Sequence, residues 1–268
     1  MRRGLPLEHV RRLSGFGRSA YFDGYVFEVQ SQEDLARLFD LARESGRQVV
    51  LRGSGQSYGD AATGAECIVA RMSGMNRILG WDPQSGIIEV EGGVTLAAIW
   101  QKSLPEGWWL PVVSGTMFPT VGGALAMNIH GKNSYRMGTL GEHVIELEVL
   151  PPGTSMPLTL RPSAALVSAI ISGAGLLAPI TKATLQLKEV PGGDVEVEPV
   201  PCSGWREQLS AFEDHVADDY MVSWIDCFAR GGRAGRGIFH SARHVGGPAE
   251  TLTRGHQSLP DKIARIVP

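Results

Sequence analysis

The stretch Val113–Val144, VSGTMFPTVGGALAMNIHGKNSYRMGTLGEHV, decides how the rest of the chain reads. It holds six glycines, at 115, 122, 123, 131, 138 and 141, and the run Ile129-His-Gly-Lys-Asn133. Without a Cβ, glycine reaches positive φ and lets a ligand approach the main chain. The pair Gly122-Gly123 ahead of Ala-Leu-Ala-Met reads as a helix start whose unpaired N–H groups would suit an anion. The polar residues follow on an irregular segment, where binding and catalytic groups concentrate. The plainer reading is a glycine-rich connection between two strands. Loops of this length are more often functional or disordered than idle.

Working outward, a second glycine-rich segment lies upstream: Arg52-Gly-Ser-Gly-Gln-Ser-Tyr-Gly-Asp60, directly after the strand pattern Gln48-Val-Val-Leu51. Glycines at 53, 55 and 59 behind a strand suit a phosphate cradle, with backbone N–H groups turned inward. The segment lacks the Gly-Lys-Ser/Thr ending of a Walker loop and does not open a helix as a dinucleotide fingerprint would. Alone, it fits a tight turn equally well. Ahead of it, Tyr25–Val29 reads as a strand. Ser31 reads as a helix N-cap with Glu33 and Asp34 in the first turn. Leu35, Leu38, Phe39 and Ala42 keep helical spacing, and Gly46 closes the helix. Strand, helix and strand in this order favour a right-handed crossover and a parallel pairing.

Downstream, Cys67–Ala70, Gly86–Glu91, Val144–Leu150 and Ala178–Leu187 read as strands, and Thr95–Lys102 and Ser163–Ile171 as helices. Trp108 and Trp109 fall in a loop. Pro151-Pro-Gly-Thr154 is a turn leading to a return strand at Pro157–Leu160. Pro191-Gly-Gly-Asp194 and Pro199-Val-Pro201 mark a composition shift, which places a domain boundary near 190–200. Beyond it come a helix (Trp205–Val216), a strand (Met221–Cys227), a glycine/arginine loop (Arg230–Gly237) and a strand (Ile238–Ala242). Gly246–Pro268 shows no periodicity.

The totals exclude several classes. The 268 residues are 43% hydrophobic, enough for a core in one large domain or two modest ones. A net charge of −3 leaves no electrostatic footprint for nucleic acid. The three cysteines, Cys67, Cys202 and Cys227, form no CxxC pair, so neither a metal site nor a disulfide framework follows. Cys202 and Cys227 read as buried thiols. No run approaches the ~18 apolar residues of a membrane span. The start, MRRGLPLEHVRRLSGFG, lacks the apolar core of a secretory signal and reads as a solvated segment. Its Arg2, Arg3, Arg11 and Arg12 could touch an anionic surface.

Taken together, the two glycine-rich loops resemble the FAD-binding domain of the PCMH-type flavoproteins, the vanillyl-alcohol-oxidase superfamily. Within it they are most similar to the decaprenylphosphoryl-ribose 2′-oxidase branch. The residues that carry the resemblance are Arg52–Asp60, Thr120-Val-Gly-Gly123, Ile129-His-Gly-Lys-Asn133, Gly138-Thr-Leu-Gly-Glu-His-Val144, Ser172-Gly-Ala-Gly-Leu-Leu177 and Tyr220-Met-Val-Ser-Trp-Ile-Asp-Cys227. The resemblance implies an α+β, two-lobed FAD-binding domain at 15–190, with lobes of about 15–110 and 111–190. The beginning of a substrate domain would follow at 200–268. Against the family the chain looks C-terminally truncated, and its last part should pack poorly.

The resemblance also assigns residues. Leu51, Arg52, Gly53, Ser54, Gly55, Gln56, Ser57, Tyr58, Gly59, Asp60 and Ala61 would hold the FAD pyrophosphate. Gly115, Thr120, Val121, Gly122, Gly123, Met127, Asn128, Ile129 and His130 would line the flavin and its phosphates, and Ile180 would touch the cofactor with its backbone. His130 and Lys132 would be the catalytic pair, His130 at the reactive end of the flavin and Lys132 reaching the substrate. Polyol oxidases of the superfamily carry a flavin-linked His where this chain has Gln56. An amide cannot form that bond, so the FAD is expected to be non-covalent.

The implied activity is oxidation of a secondary hydroxyl of a sugar or polyprenyl-phosphate sugar, in arabinan precursor biosynthesis. An NADH-dependent short-chain reductase would be a partner subunit. The expected setting is cytoplasmic, with peripheral membrane contact. The alternatives are an aldonolactone or polyol oxidase of the same superfamily, or a flavin-binding module without turnover. A serine hydrolase built from Ser114, His130 and Asp60 lacks the nucleophile elbow, because Val113-Ser-Gly115 misses the first glycine.

Overall fold

The structure, a computed structural model, describes residues 4–246. The expectations for Arg2, Arg3 and 247–268 lie outside these residues. Two lobes and a smaller third module follow one another along the chain.

The first lobe is a four-stranded sheet in the order β1 (Val10–Ser14), β2 (Tyr21–Glu28), β4 (Ile68–Arg71), β3 (Val49–Arg52). β1 is antiparallel to β2, while β2 and β3 both run parallel to β4. The two strands of the expected strand–helix–strand unit do run in the same direction, but β4 is inserted between them. The unit's helix, α1 (Gln32–Ser45), starts at Ser31, whose hydroxyl accepts from the Asp34 amide while the Asp34 carboxylate accepts from the Ser31 amide. It ends at Gly46 with φ 65°, a left-handed position that suits glycine. Leu35, Leu38 and Ala42 bury against Ile68 and Ala70. Each leucine buried this way contributes roughly 2 kcal/mol.

The second lobe is a five-stranded antiparallel sheet in the order β5 (Ile78–Asp82), β6 (Ile87–Glu91), β10 (Ile180–Gln186), β8 (Val144–Val149), β9 (Leu158–Leu160). The helices α2 (Leu96–Ser103), α3 (Val121–Ala126), α4 (Ser134–Met137) and α5 (Ala165–Ile170) belong to it. Its core joins Ile88, Val90, Leu96, Ile99, Leu125, Leu147 and Leu185. Because β5 and β6 pair into this sheet, the lobes divide between β4 and β5 and not at residue 110. Trp108 and Trp109 form a two-residue strand, β7, paired with β11 (Lys188–Glu189), where the sequence suggested a loop.

The third module is an antiparallel sheet in the order β12 (Asp194–Cys202), β14 (Gly237–Val245), β13 (Tyr220–Ile225), with α6 (Trp205–Asp214) on one face. Phe239, Met221, Cys202 and Ala211 form its small core. The composition shift near 190–200 falls on β12 itself, whose Pro199 and Pro201 are tolerated because it is an edge strand. One expectation about the thiols is corrected here. Cys202 is buried as expected, whereas Cys227 is exposed. The start, read from sequence as a solvated segment, also pairs with β2 at Val10–Ser14, with Arg11 and Arg12 exposed.

Candidate functional site

The two glycine-rich loops meet. The Ser54 hydroxyl donates to the Phe118 carbonyl at 2.6 Å, and a Cβ added to Gly53 would come within 2.2 Å of Thr120 Oγ1. Between them runs a cleft of about 740 Å³. Pockets of this size are typical of small-molecule sites. A smaller hollow of about 400 Å³ beside it shares Leu51, Gly175, Ala178 and Pro179 and contains none of Gly53–Ala61.

Of the residues singled out by sequence, Leu51, Gly53–Ala61, Gly115, Thr120, Gly122, Gly123, Met127, Ile129, His130 and Ile180 line this cleft. Arg52, Val121, Asn128 and Lys132 do not. Arg52 serves the loop from behind. Its guanidinium donates to Ser14 O at 2.9 Å and Ala62 O at 3.1 Å. Burial, and then the charge of Arg71, push its pKa down. Val121 is core. Asn128 sits at φ 43°, and its Oδ1 accepts from the Gly141 amide at 2.9 Å. Ser172 and Ala174 are also at positive φ, and their amides bond to Leu125 O and Ala126 O. Three non-glycine residues in this region cluster beside one cleft, where strained backbone often has a functional reason.

The amides decide what the cleft can hold. Among the described residues, no amide from Gly53 to Ala61 donates a hydrogen bond. A Cβ at Gly59 or Gly115 would meet nothing within 4 Å, although both residues line the cleft. This loop is therefore an open array of donors suited to an anion. The start of α3 is different, which corrects the sequence reading of free N–H groups there. Val121 N donates to Val94 O, Gly122 N to Gly92 O and Gly123 N to Thr120 Oγ1. Gly122 is small because Gly92 O would lie 3.0 Å from its Cβ.

His130 is exposed at the cleft, and among the described residues its ring has no hydrogen-bond partner. The backbone beneath it is fixed by an isolated bridge to Thr139 and by Leu140 N donating to Ile129 O. Asn133, 1% exposed, anchors the same run by donating to Pro111 O at 2.7 Å. Lys132 is exposed, and its carbonyl accepts from Met221 N in the third module. The hydroxyl of Ser114 donates to Thr116 O and not to His130, so no hydrolytic pair forms.

A polar joint ties the third module on. Tyr135 donates to Asp218 O, and Arg136 to Ala217 O and Asp218 O. Lys188 pairs with Asp219 at 2.5 Å, and Tyr220 OH meets His244 Nε2 at 3.0 Å. Burial pushes the Tyr220 phenol up to about 12. Burial and then Lys188 push His244 down.

Sequence reading missed Gly92 and Thr116 in the cleft wall, and it gave no cofactor role to Ser114, Ala174 and Gly175, which also line it. The Gly92-Gly93 pair behind the Gly86–Glu91 strand was a usable signal, of the same kind as the cradle.

Fold and cleft together define a two-lobed nucleotide-cofactor domain. Residues 24–156 match the family described as FAD binding domain, and the chain carries an FAD-binding domain of the PCMH type. It is 33% identical to decaprenylphosphoryl-beta-D-ribose oxidase of Mycolicibacterium smegmatis, over 85% of this chain and 50% of that protein. It is 27% identical to L-gulonolactone oxidase of Bos taurus, over 71% of this chain and 42% of that protein. In fold it is similar to an alkyldihydroxyacetonephosphate synthase structure, with a TM-score of 0.69 at 17% identity, covering 86% of this chain and 48% of that one. The chain thus spans about half the length of the relatives it matches. No helix among the described residues is long and apolar enough to cross a membrane. The FAD implied by the family fits the cleft, since an open donor array and unobstructed Gly59 and Gly115 are what a pyrophosphate needs.

Proposed function

We propose that this chain holds FAD non-covalently in the cleft and takes part in oxidising a secondary hydroxyl of a sugar or lipid-linked sugar. The observation that carries the cofactor reading is the undonated amide array at Gly53–Ala61 facing the cleft. Bound FAD would supply a hydride acceptor. The chain's own residues would do the rest. The cradle amides would hold the pyrophosphate, with Arg52 pinning the loop behind them. His130, unpartnered at the cleft, would take the hydroxyl proton on a ring nitrogen. Lys132 would offer a cation to an anionic part of the substrate. Residues 15–190 would be the cofactor domain, and the module from 200 the beginning of a substrate domain. A short-chain reductase that returns the oxidised sugar to an alcohol would be a fitting partner, in a cytoplasmic setting.

The substrate class is supported by the identity to decaprenylphosphoryl-beta-D-ribose oxidase. A second reading, a flavin-binding module without turnover, is favoured by Lys132 standing outside the cleft wall. Anaerobic titration of the FAD-loaded chain separates them. Bleaching of the flavin by a polyprenyl-phosphate pentose supports the first reading, and bleaching by an aldonolactone supports a lactone oxidase. No bleaching by either leaves a binding module. Absence of any flavin band after reconstitution refutes all three.

A further inference from the structure

We propose that the outer tip of the third module is a docking surface for an anionic lipid bilayer. It is formed by Trp205, Trp224, Phe228, Arg230 and Arg233. This inference does not rest on the redox reading.

The tip displays large apolar side chains in water. Phe228 is 92% exposed, Trp224 72% and Trp205 53%. They are held, not frayed. The Asp226 carboxylate accepts from the Phe228 amide at 2.9 Å, and Ala229 N donates to Asp226 O, which closes a turn beneath the phenylalanine. Arg236 clamps the same carboxylate through Nε at 2.8 Å and Nη2 at 2.6 Å. The Trp205 indole lies against the loop backbone, close enough that a Cβ on Gly235 would be 2.6 Å from its ring. A fixed aromatic side chain with no protein cover is an uncommon expense for a solvated loop.

The position suits a surface contact. β13 and β14 are anchored to the cofactor domain at their Tyr220 and His244 ends. Five residue-to-residue steps of strand lead from Tyr220 to Ile225, so the tip stands about 17 Å away from that joint at ~3.3 Å per step. Phe228 thus projects at the end of a hairpin, which suits insertion between lipid headgroups better than a concave partner site.

The charge points the same way. Arg206, Arg230 and Arg233 are exposed and make no ion pair among the described residues, while Arg236 is neutralised by Asp226. Glu207 beside them is turned to Ser203. The tip is locally cationic in a chain whose net charge is −3. Tryptophan prefers the headgroup level of a bilayer, and arginine beside it is attracted by anionic lipid.

The test uses the 268-residue chain loaded with FAD and sedimented with vesicles. One set contains phosphatidylglycerol in phosphatidylcholine, the other phosphatidylcholine alone. The expected result is binding to the anionic set, weakened by salt, and little binding to the neutral one. The double variant R230A/R233A should lose about 25-fold in partitioning, near fivefold per arginine for ~1 kcal/mol each. Phe228→Ser should also weaken binding, with flavin content and Tm unchanged because the side chain is exposed. Equal binding to both vesicle types, or no difference between the variants and the parent chain, would overturn the proposal. So would self-association of the parent chain, measured by sedimentation velocity, that disappears in Phe228→Ser, since it would assign the tip to a second copy.

Discussion

In the loop Gly53–Ala61 no amide donates a hydrogen bond within the described residues, whereas at Val121–Gly123 all three amides are taken, by Val94, Thr120 and Gly92. Both segments wall the same cleft, and both look alike in composition. The difference lies in what a side chain would meet. At Gly59 it would meet nothing within 4 Å. At Gly122 it would press on Gly92 O at 3.0 Å and Ile180 O at 3.4 Å. In the first region Gly53 and Gly55 are held small by Thr120 and Arg52, and Gly59 alone opens on the cleft, whereas Gly122 stays small so that α3 can pack on β6 and β10. A glycine-rich loop is thus informative about binding only once its donors have been accounted for.

The sharpest way to break this contrast is Gly92→Val. Its Cβ would sit 2.1 Å from Ile180 O, a backbone atom that cannot turn aside. The variant is expected to lose more than about 3 kcal/mol, the upper range for overpacking, so that Tm and flavin content fall together. A stable Gly92→Val protein that merely lost flavin would move this glycine into the ligand-binding group.

Arg52→Met comes next. It removes both donors to Ser14 O and Ala62 O, which costs about 2 kcal/mol, from two half-buried carbonyls left unpaired. Thermal unfolding should show that loss in the apo-protein, and FAD affinity should drop further because the cradle loses its back support. Unchanged affinity in the folded variant would mean that the loop is set by its ligand and not by Arg52.

Gly115→Val tests the other side of the contrast. Its added atoms point into open cleft. Apo-protein Tm should stay within about 2 °C of the parent, and FAD should bind at least tenfold more weakly, near 1.4 kcal/mol. Isothermal titration with FAD gives the answer, and a fall in apo-protein Tm with normal affinity would reverse the assignment.

What the sequence made legible was local. Ser31, Gly46 and the apolar positions of α1 specify that helix by themselves, and three glycines behind a strand marked a segment that does line the cleft, although alone they fitted a tight turn equally well. What stayed hidden depends on distant partners. The carbonyls that occupy the α3 amides come from Gly92 and Val94, nearly thirty residues upstream, and no local pattern announces them. β1 was hidden because Arg11 and Arg12 suit an exposed edge, and β12 because its prolines read only as a composition shift at a boundary until the strand is seen to be an edge. The lobe boundary was misplaced for a similar reason, since the membership of β6 is fixed by β10, some ninety residues later.

The smallest effect is expected at Thr120, and it is the most discriminating because this side chain touches both regions. Thr120 Oγ1 accepts from Gly123 N at 3.3 Å and stands where a Cβ on Gly53 would be. The residue is 2% exposed, so its shape and its hydroxyl both matter. Thr120→Val preserves the shape and removes the cap. It should cost about 1 kcal/mol, a typical N-cap loss, with FAD affinity reduced no more than twofold. Thr120→Ser preserves the cap and removes a methyl group at the contact with Gly53. It should leave α3 intact and act, if anywhere, on the cradle, by letting the Ser54 end of the loop shift. Measuring Tm and FAD affinity on both variants therefore separates helix capping from loop positioning at one site. Losses of equal size in both quantities for both variants would show that cradle and helix start behave as one unit, and the contrast between them would fail.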